Sequence, residues 1–269
     1  MWEETGAVHI ILAAVVGLSV GSFMNVVIHR VPRNTENAAS AINDLLTPGS
    51  ACPACGTRLG WRQLIPVLSY LFQGGNCVAC EAAISPRYPL VELAAGVVPI
   101  SALFCYGVTT AAVAVSVLMW LMITIAVIDL QNLIVPDRLV FPLLGAGLLV
   151  NAFGILVESE KAILGAVVGF MSFWLMARAA REVIGRTALG GGDVKLFAAL
   201  GAWLGWQALA PILLIASVTG LVVGLFLRLT GRLGPKAPIP FAPFLAFGGI
   251  LMLFIRERLT SWLATFGLF

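Results

Sequence analysis

Two CxxC pairs and a few carboxylates stranded among apolar residues are the groups in this chain that could do chemistry. Cys52 and Cys55 form the first pair and Cys77 and Cys80 the second, with residues 56–76 between them. Four thiolates in two short knuckles, each turning both sulfurs toward one point, suit a tetrahedral zinc ion. Four sulfur ligands leave no open coordination position, so the metal reads as structural. Pro53 and Gly56 in the first knuckle, and Gly74 with Gly75 ahead of the second, supply turn chemistry. A disulfide reading competes, but it needs an oxidising compartment. Cys105 lies inside an apolar run and reads as a packing residue.

The carboxylates in or beside apolar runs are Glu92, Asp129, Asp137 and Asp193. An ionisable residue at membrane depth is costly and is a functional candidate for that reason. Asp129 ends the run 111–128, and Asp193 ends the glycine run Gly190-Gly191-Gly192. Two carboxylates brought together on a partly dry surface share a proton, and their titrations separate. One then acts as base on a water and the other as acid toward a leaving amine, the chemistry of an aspartic protease. Glycines beside such a pair let a substrate backbone and neighbouring helices approach closely. The competing reading makes Asp193 an N-cap of the next helix. Asp137, after Pro136, reads as an N-cap, and Glu92 is open between neutralising Arg87, capping a helix and positioning substrate.

The elements that must hold these groups follow from composition. The 269 residues are 60% apolar and only 11% charged, less than half the charged share of about 25% in soluble domains. A water-soluble enzyme is excluded. With 16 Lys and Arg against 13 Asp and Glu, no dense cationic surface can form, so nucleic acid is excluded as a partner. A membrane span needs about 20 apolar residues. The candidates are 7–28, 89–106, 110–128, 139–157, 162–180, 194–206, 207–228 and 239–255, with the break between the sixth and seventh weakly marked. The predicted fold is an all-α polytopic membrane protein of about eight transmembrane helices in a lipid bilayer. Placing the N-terminus outside puts every Lys and Arg except Lys161, Arg256 and Arg258 on the cytoplasmic side. Met1 to Gly6 carries two Glu and no cation, so the first apolar run reads as a retained helix. The loop 29–88 then becomes an inserted cytosolic module, too poor in apolar residues to fold without its zinc.

Six segments in order resemble the motifs of the type IV prepilin peptidases. They are Gly21-Ser22-Phe23-Met24-Asn25-Val26-Val27-Ile28, the two CxxC pairs, Ile84-Ser85-Pro86-Arg87-Tyr88-Pro89-Leu90-Val91-Glu92, Asp129 with Pro136-Asp137 downstream, Gly190-Gly191-Gly192-Asp193-Val194-Lys195, and Ile239-Pro240-Phe241-Ala242-Pro243-Phe244. The resemblance implies a bacterial inner-membrane enzyme that cuts the leader from prepilins or type II secretion pseudopilins at the cytoplasmic face. It then N-methylates the new terminus with S-adenosyl-L-methionine. It implies Asp129 and Asp193 as the catalytic pair, Gly190, Gly192 and Lys195 in support, and zinc on the four cysteines. The implied organisation is a first helix at 1–28, the zinc module with the methyltransferase region at 29–88, and a peptidase core at 89–269.

No Gly-rich nucleotide fingerprint accompanies the methyl donor, so its site rests on the resemblance, with Asn25, Arg87 and Glu92 as polar candidates. Ala242 replaces the family's usual Gly, and Gln131 and Asn132 stand where acidic and His residues are frequent. Both departures bear on substrate preference. The oligomeric state is open. The competing functions are a transporter whose acids relay protons and a non-catalytic pilus assembly factor carrying a structural zinc module.

Overall fold

A computed structural model of the chain describes residues 6–33, 49–184, 190–234 and 237–265. Its helices are α1 (Ala7–Arg30), α2 (Leu68–Phe72), α3 (Arg87–Tyr106), α4 (Thr110–Asn132), α5 (Asp137–Ala152), α6 (Ser159–Ile184), α7 (Gly191–Leu204), α8 (Leu209–Leu229) and α9 (Ala242–Thr265), with three short 3-10 turns. Among the described residues there are isolated β-bridges and no named strand, so the all-α expectation holds.

Each of the eight apolar segments lies mostly in a helix, and among the described residues five helices are long and apolar enough to cross a membrane: Ala7–Arg30, Arg87–Tyr106, Thr110–Asn132, Ser159–Val183 and Trp206–Leu229. The chain is a multi-pass membrane protein, and five of the eight expected spans meet this length and composition among the described residues. α5 has 16 residues and α7 has 14, and Ala242–Ile255 is likewise short. The stretch 194–228 is two helices. Gly205, at φ +79°, ends α7 with a backbone conformation open to glycine. The leader Met1 to Thr5, Arg186 and Lys236 lie outside the described residues, as do the side chains of Arg256 and Arg258.

The described residues form two compact units, one up to Trp120 and the other from Leu121. In the first, α1 packs along α3. Gly17 and Gly21 of α1 lie so close to Glu92, Ala95 and Gly96 that neither has room for a Cβ. Lipid tails are as apolar as the helices, so close backbone approach at small residues, more than water exclusion, holds such a pair. The Trp120 indole N–H donates to Ala95 O at 2.9 Å, satisfying the indole inside the unit.

In the second unit, α7 is the buried centre, packed on α5 and α6; every residue from Leu196 to Leu204 is buried. Gly165 of α6 and Gly201 of α7 meet backbone to backbone, and Gly169 abuts Phe197 O. The Phe173 and Phe197 rings stack at 4.0 Å. At the far end of α7, the Trp203 indole lies over Gly147 and donates to Leu143 O at 2.8 Å. Fully buried Asn151 completes this anchor. Its Nδ2 donates to Ala202 O and Trp203 O at 2.8 and 3.0 Å, while its Oδ1 accepts the Leu156 and Val157 N–H groups. Helix-end carbonyls and loop amides that lack water are thereby satisfied by one side chain.

Candidate functional site

The two cysteine knuckles share one backbone plan. Gly56 N donates to Cys52 O and Cys52 N to Thr57 O; Glu81 N donates to Cys77 O and Cys77 N to Ala82 O, all within 2.8–2.9 Å. The residue four after the first cysteine is left-handed in both, Gly56 at φ +71° and Glu81 at φ +56°. Sequence reasoning assigned the second knuckle's turn to Gly74 and Gly75; both do have positive φ, but the equivalent of Gly56 is Glu81, a residue type that carries no turn signal. The four sulfurs lie within 4.8 Å of one another, and Cys52 and Cys80 are 3.9 Å apart. A tetrahedron with Zn–S bonds of about 2.3 Å has sulfur edges of about 3.8 Å, so the cluster fits a four-coordinate metal. None of the cysteines is in a disulfide.

The charge balance of the cluster points the same way. Hydrogen bonds from the Thr57 side chain and backbone hold the Cys55 thiol down to about 6. Although the Ala82 backbone amide favours its thiolate, Cys80 is pushed up to about 12, foremost by Cys55 and then by its own burial and the Cys77 and Cys52 sulfurs. All four sulfurs could be thiolates together only with a cation among them.

The two acids sit in the second unit. Asp129 lies in the last turn of α4 and is 5% exposed. Its Oδ2 accepts the backbone N–H of Ala242 at 3.0 Å, and the Phe241 amide also bonds the carboxylate. Ala242 is the first residue of α9, so Asp129 satisfies orphan donors at that helix start and opposes the positive end of its dipole. Asp193 is not an N-cap. Gly190 holds that place, and Asp193 is the third residue of α7, its carboxylate reaching back to the Gly190 amide as in one half of a capping box. Its Oδ1 is buried and without a partner. The Asp129 charge acts on Asp193, so these two acids, 64 positions apart in the sequence, belong to one electrostatic site.

The expected supporting residues fall around this pair. Gly192 presses on Val135, leaving no space for a side chain. Lys195 Nζ bonds both carboxylate oxygens of Asp137 at 2.7 Å. Asp137 is therefore the first residue of α5 with its carboxylate spent on Lys195, while Pro136 occupies the cap position; the N-cap reading of Asp137 does not hold. These two contacts clasp the first turn of α7 to the segment that follows Asp129. Sequence reasoning missed the Ala242 amide, because a backbone donor has no residue signature; the Ile239-Pro240-Phe241-Ala242-Pro243 stretch ahead of an apolar run was the available signal.

The three polar candidates for the methyl donor gather in the first unit. Asn25 of α1 is 4% exposed; its Nδ2 donates to Tyr88 O at 3.0 Å, and its Oδ1 is buried without a partner. The Arg87 guanidinium stacks 4.6 Å over the Tyr88 ring. Glu92 accepts the Val67 N–H at 2.7 Å and a hydrogen bond from Ser22. Val67 has φ +62° and ψ −50°, and Leu68 N donates across it to Pro66 O at 2.6 Å. That is a strained γ-turn, rare for a β-branched residue. The Glu92 carboxylate holds it in place.

Residues 15–106 match the Bacterial Peptidase A24 N-terminal domain, and residues 116–225 match the Type IV leader peptidase family. A prepilin leader peptidase/N-methyltransferase of Burkholderia pseudomallei (strain 1026b) is 42% identical over 259 residues, covering 90% of this chain and 84% of that protein. Proteins of the same name from Stutzerimonas stutzeri and Pseudomonas aeruginosa are 39% and 37% identical, each covering 92% of the relative and 94% and 93% of this chain. No solved structure matches. With both halves of the family architecture in order and relatives of this identity along nearly its whole length, the chain belongs to the type IV leader peptidase family.

Proposed function

We propose that this protein is a bifunctional prepilin leader peptidase and N-methyltransferase of the bacterial inner membrane, with its N-terminus outside and the cysteine module in the cytosol. The observation that carries the reading is the pairing of Asp129 with Asp193, one carboxylate held by the Ala242 amide and the other with a buried, unpartnered oxygen. An acceptor in that state is suited to a water or a substrate group. One carboxylate takes a proton from water as its oxygen attacks the scissile carbonyl; the other gives a proton to the departing amine. A prepilin or pseudopilin precursor, with a basic leader followed by an apolar helix, brings its cleavage point to the membrane boundary. The relatives' names support leader removal and methylation together.

In this reading residues 1–28 are the first membrane helix, 29–88 the cytosolic zinc module with the methyltransferase region, and 89–269 the peptidase core. Zinc held by Cys52, Cys55, Cys77 and Cys80 orders the module. S-adenosyl-L-methionine supplies an electrophilic methyl group when bound. The unpartnered Asn25 Oδ1 is the chain's own group with capacity to accept an N–H there, and Glu92 holds the Val67 turn.

Mass spectrometry of a prepilin incubated with the purified enzyme and S-adenosyl-L-methionine tests both activities. Loss of the leader mass reads the peptidase and gain of one methyl reads the transferase. Asp129→Asn and Asp193→Asn each abolish leader loss while the protein still inserts and folds. Full cleavage by either variant overturns the assignment.

A further inference from the structure

The segment from Trp61 to Phe72, between the two knuckles, exposes six large apolar side chains. Trp61 is 72% exposed, Leu68 50%, Leu71 64% and Phe72 86%, with Leu64 and Ile65 also open. Tyr70, within the same stretch, is instead turned against Gly75. So dense a set on a small polar module needs a covering surface.

The Glu92–Val67 contact says where that surface is. α3 has 20 residues and is apolar enough to cross a membrane. At about 1.5 Å per residue it rises about 30 Å, the thickness of the hydrocarbon core itself. Such a helix has no length to spare, so its first residues cannot stand far out in water. Glu92 lies five positions after Arg87, about 7.5 Å down the axis. Val67 is bonded to that carboxylate at 2.7 Å, which places the γ-turn at the rim of the bilayer. α2 begins at the next residue and is only five residues long, about 7.5 Å, so Leu68, Leu71 and Phe72 stay within the depth of one headgroup layer. The lipid-facing side of α3 is continuous with them in character, with Leu90 62% and Leu93 48% exposed. Arg62 stacks on Trp61 at 5.2 Å, and Arg58 stands nearby in the sequence; an aromatic ring with cations beside it is the pattern of a membrane–water boundary.

We propose that the Trp61–Phe72 segment is a membrane-interface anchor, lying in the headgroup layer on the zinc module's side of the bilayer and tied there by Glu92. The module rests on lipid and does not stand free in the cytosol. The inference needs α3 to span the membrane and does not depend on either enzymatic activity.

The test uses the full chain in vesicles of phosphatidylethanolamine and phosphatidylglycerol. Leu68→p-benzoylphenylalanine and Phe72→p-benzoylphenylalanine are made separately, each checked for an unchanged thermal unfolding midpoint, irradiated, and the adducts weighed. Lipid adducts dominating at both positions support the anchor. Adducts mainly to a second copy of the chain, or formed only when precursor is added, overturn it in favour of a protein-binding face. Absence of any adduct at both positions overturns it in favour of a solvated module. Because the readout is the mass of the adduct, its failure is distinguishable from loss of leader cleavage.

Discussion

The Asp129 carboxylate accepts the Ala242 backbone N–H at 3.0 Å, so one acid of the pair is also the polar stop at the start of α9. The relationship explains why Ala in place of the family's Gly is harmless to the acid. The donor is a main-chain group, present in either residue, and the added methyl is fully buried.

Ala242→Pro removes that donor while suiting the first position of a helix. A hydrogen bond to a charged group contributes about 1.5–3 kcal/mol, so leader cleavage falls by at least tenfold, whereas Ala242→Gly stays close to wild type. Initial rates on a prepilin, with unfolding midpoints alongside, separate the two; equal rates for both variants would remove the amide from the mechanism.

The Lys195–Asp137 pair is part-exposed on both sides, and such pairs contribute about 0–1 kcal/mol to stability. Its effect on rate is larger, because a misplacement of about 1 Å can cost on the order of a hundredfold. Lys195→Met and Asp137→Asn therefore shift the unfolding midpoint little and lower kcat about tenfold with KM nearly constant. Lys195→Arg restores most of the rate. A KM effect without a kcat effect contradicts the clasp.

Asn151→Ala strips partners from two carbonyls at the end of α7 and two amides of the following loop. Each buried group left alone costs about 1–3 kcal/mol, and relaxation recovers part of that. A loss of about 3–5 kcal/mol, read by thermal unfolding in detergent, is expected. A loss below about 1 kcal/mol would mean that the anchor is redundant.

The second knuckle carries a removable strain. Glu81→Gly relieves a left-handed backbone at a non-glycine residue and stabilises the module by about 1 kcal/mol, while Gly56→Ala destabilises it by a similar amount. Metal competition titrations on the two variants should move in opposite directions.

The cysteine cluster was legible in the sequence because a tetrahedral metal imposes short, countable spacings on one residue type. Asp129 and Asp193 stood out as candidates because a carboxylate at the end of an apolar run is costly enough to need a reason. What joins them was not legible. The Ala242 amide has no letter of its own, and Asp137 reads as a cap until Lys195, 58 positions later, is seen to hold it. The helices were legible as apolar runs, but apolar composition does not fix helix length, so eight spans were expected where five of the described helices have the length and apolarity of one. Trp203 over Gly147 and the four bonds of Asn151 depend on contacts between segments far apart, which periodicity does not encode.

The shortness of α7 limits how it can sit in the bilayer. Fourteen residues give a rod of about 21 Å, roughly two thirds of the hydrocarbon thickness of about 30 Å. With its far end pinned by Trp203 and Asn151, a rod about 9 Å too short cannot bring both of its ends to the two faces of the bilayer at once. At least one end of α7, the Trp203 anchor or the glycine end that carries Asp193, therefore stops short of a membrane face.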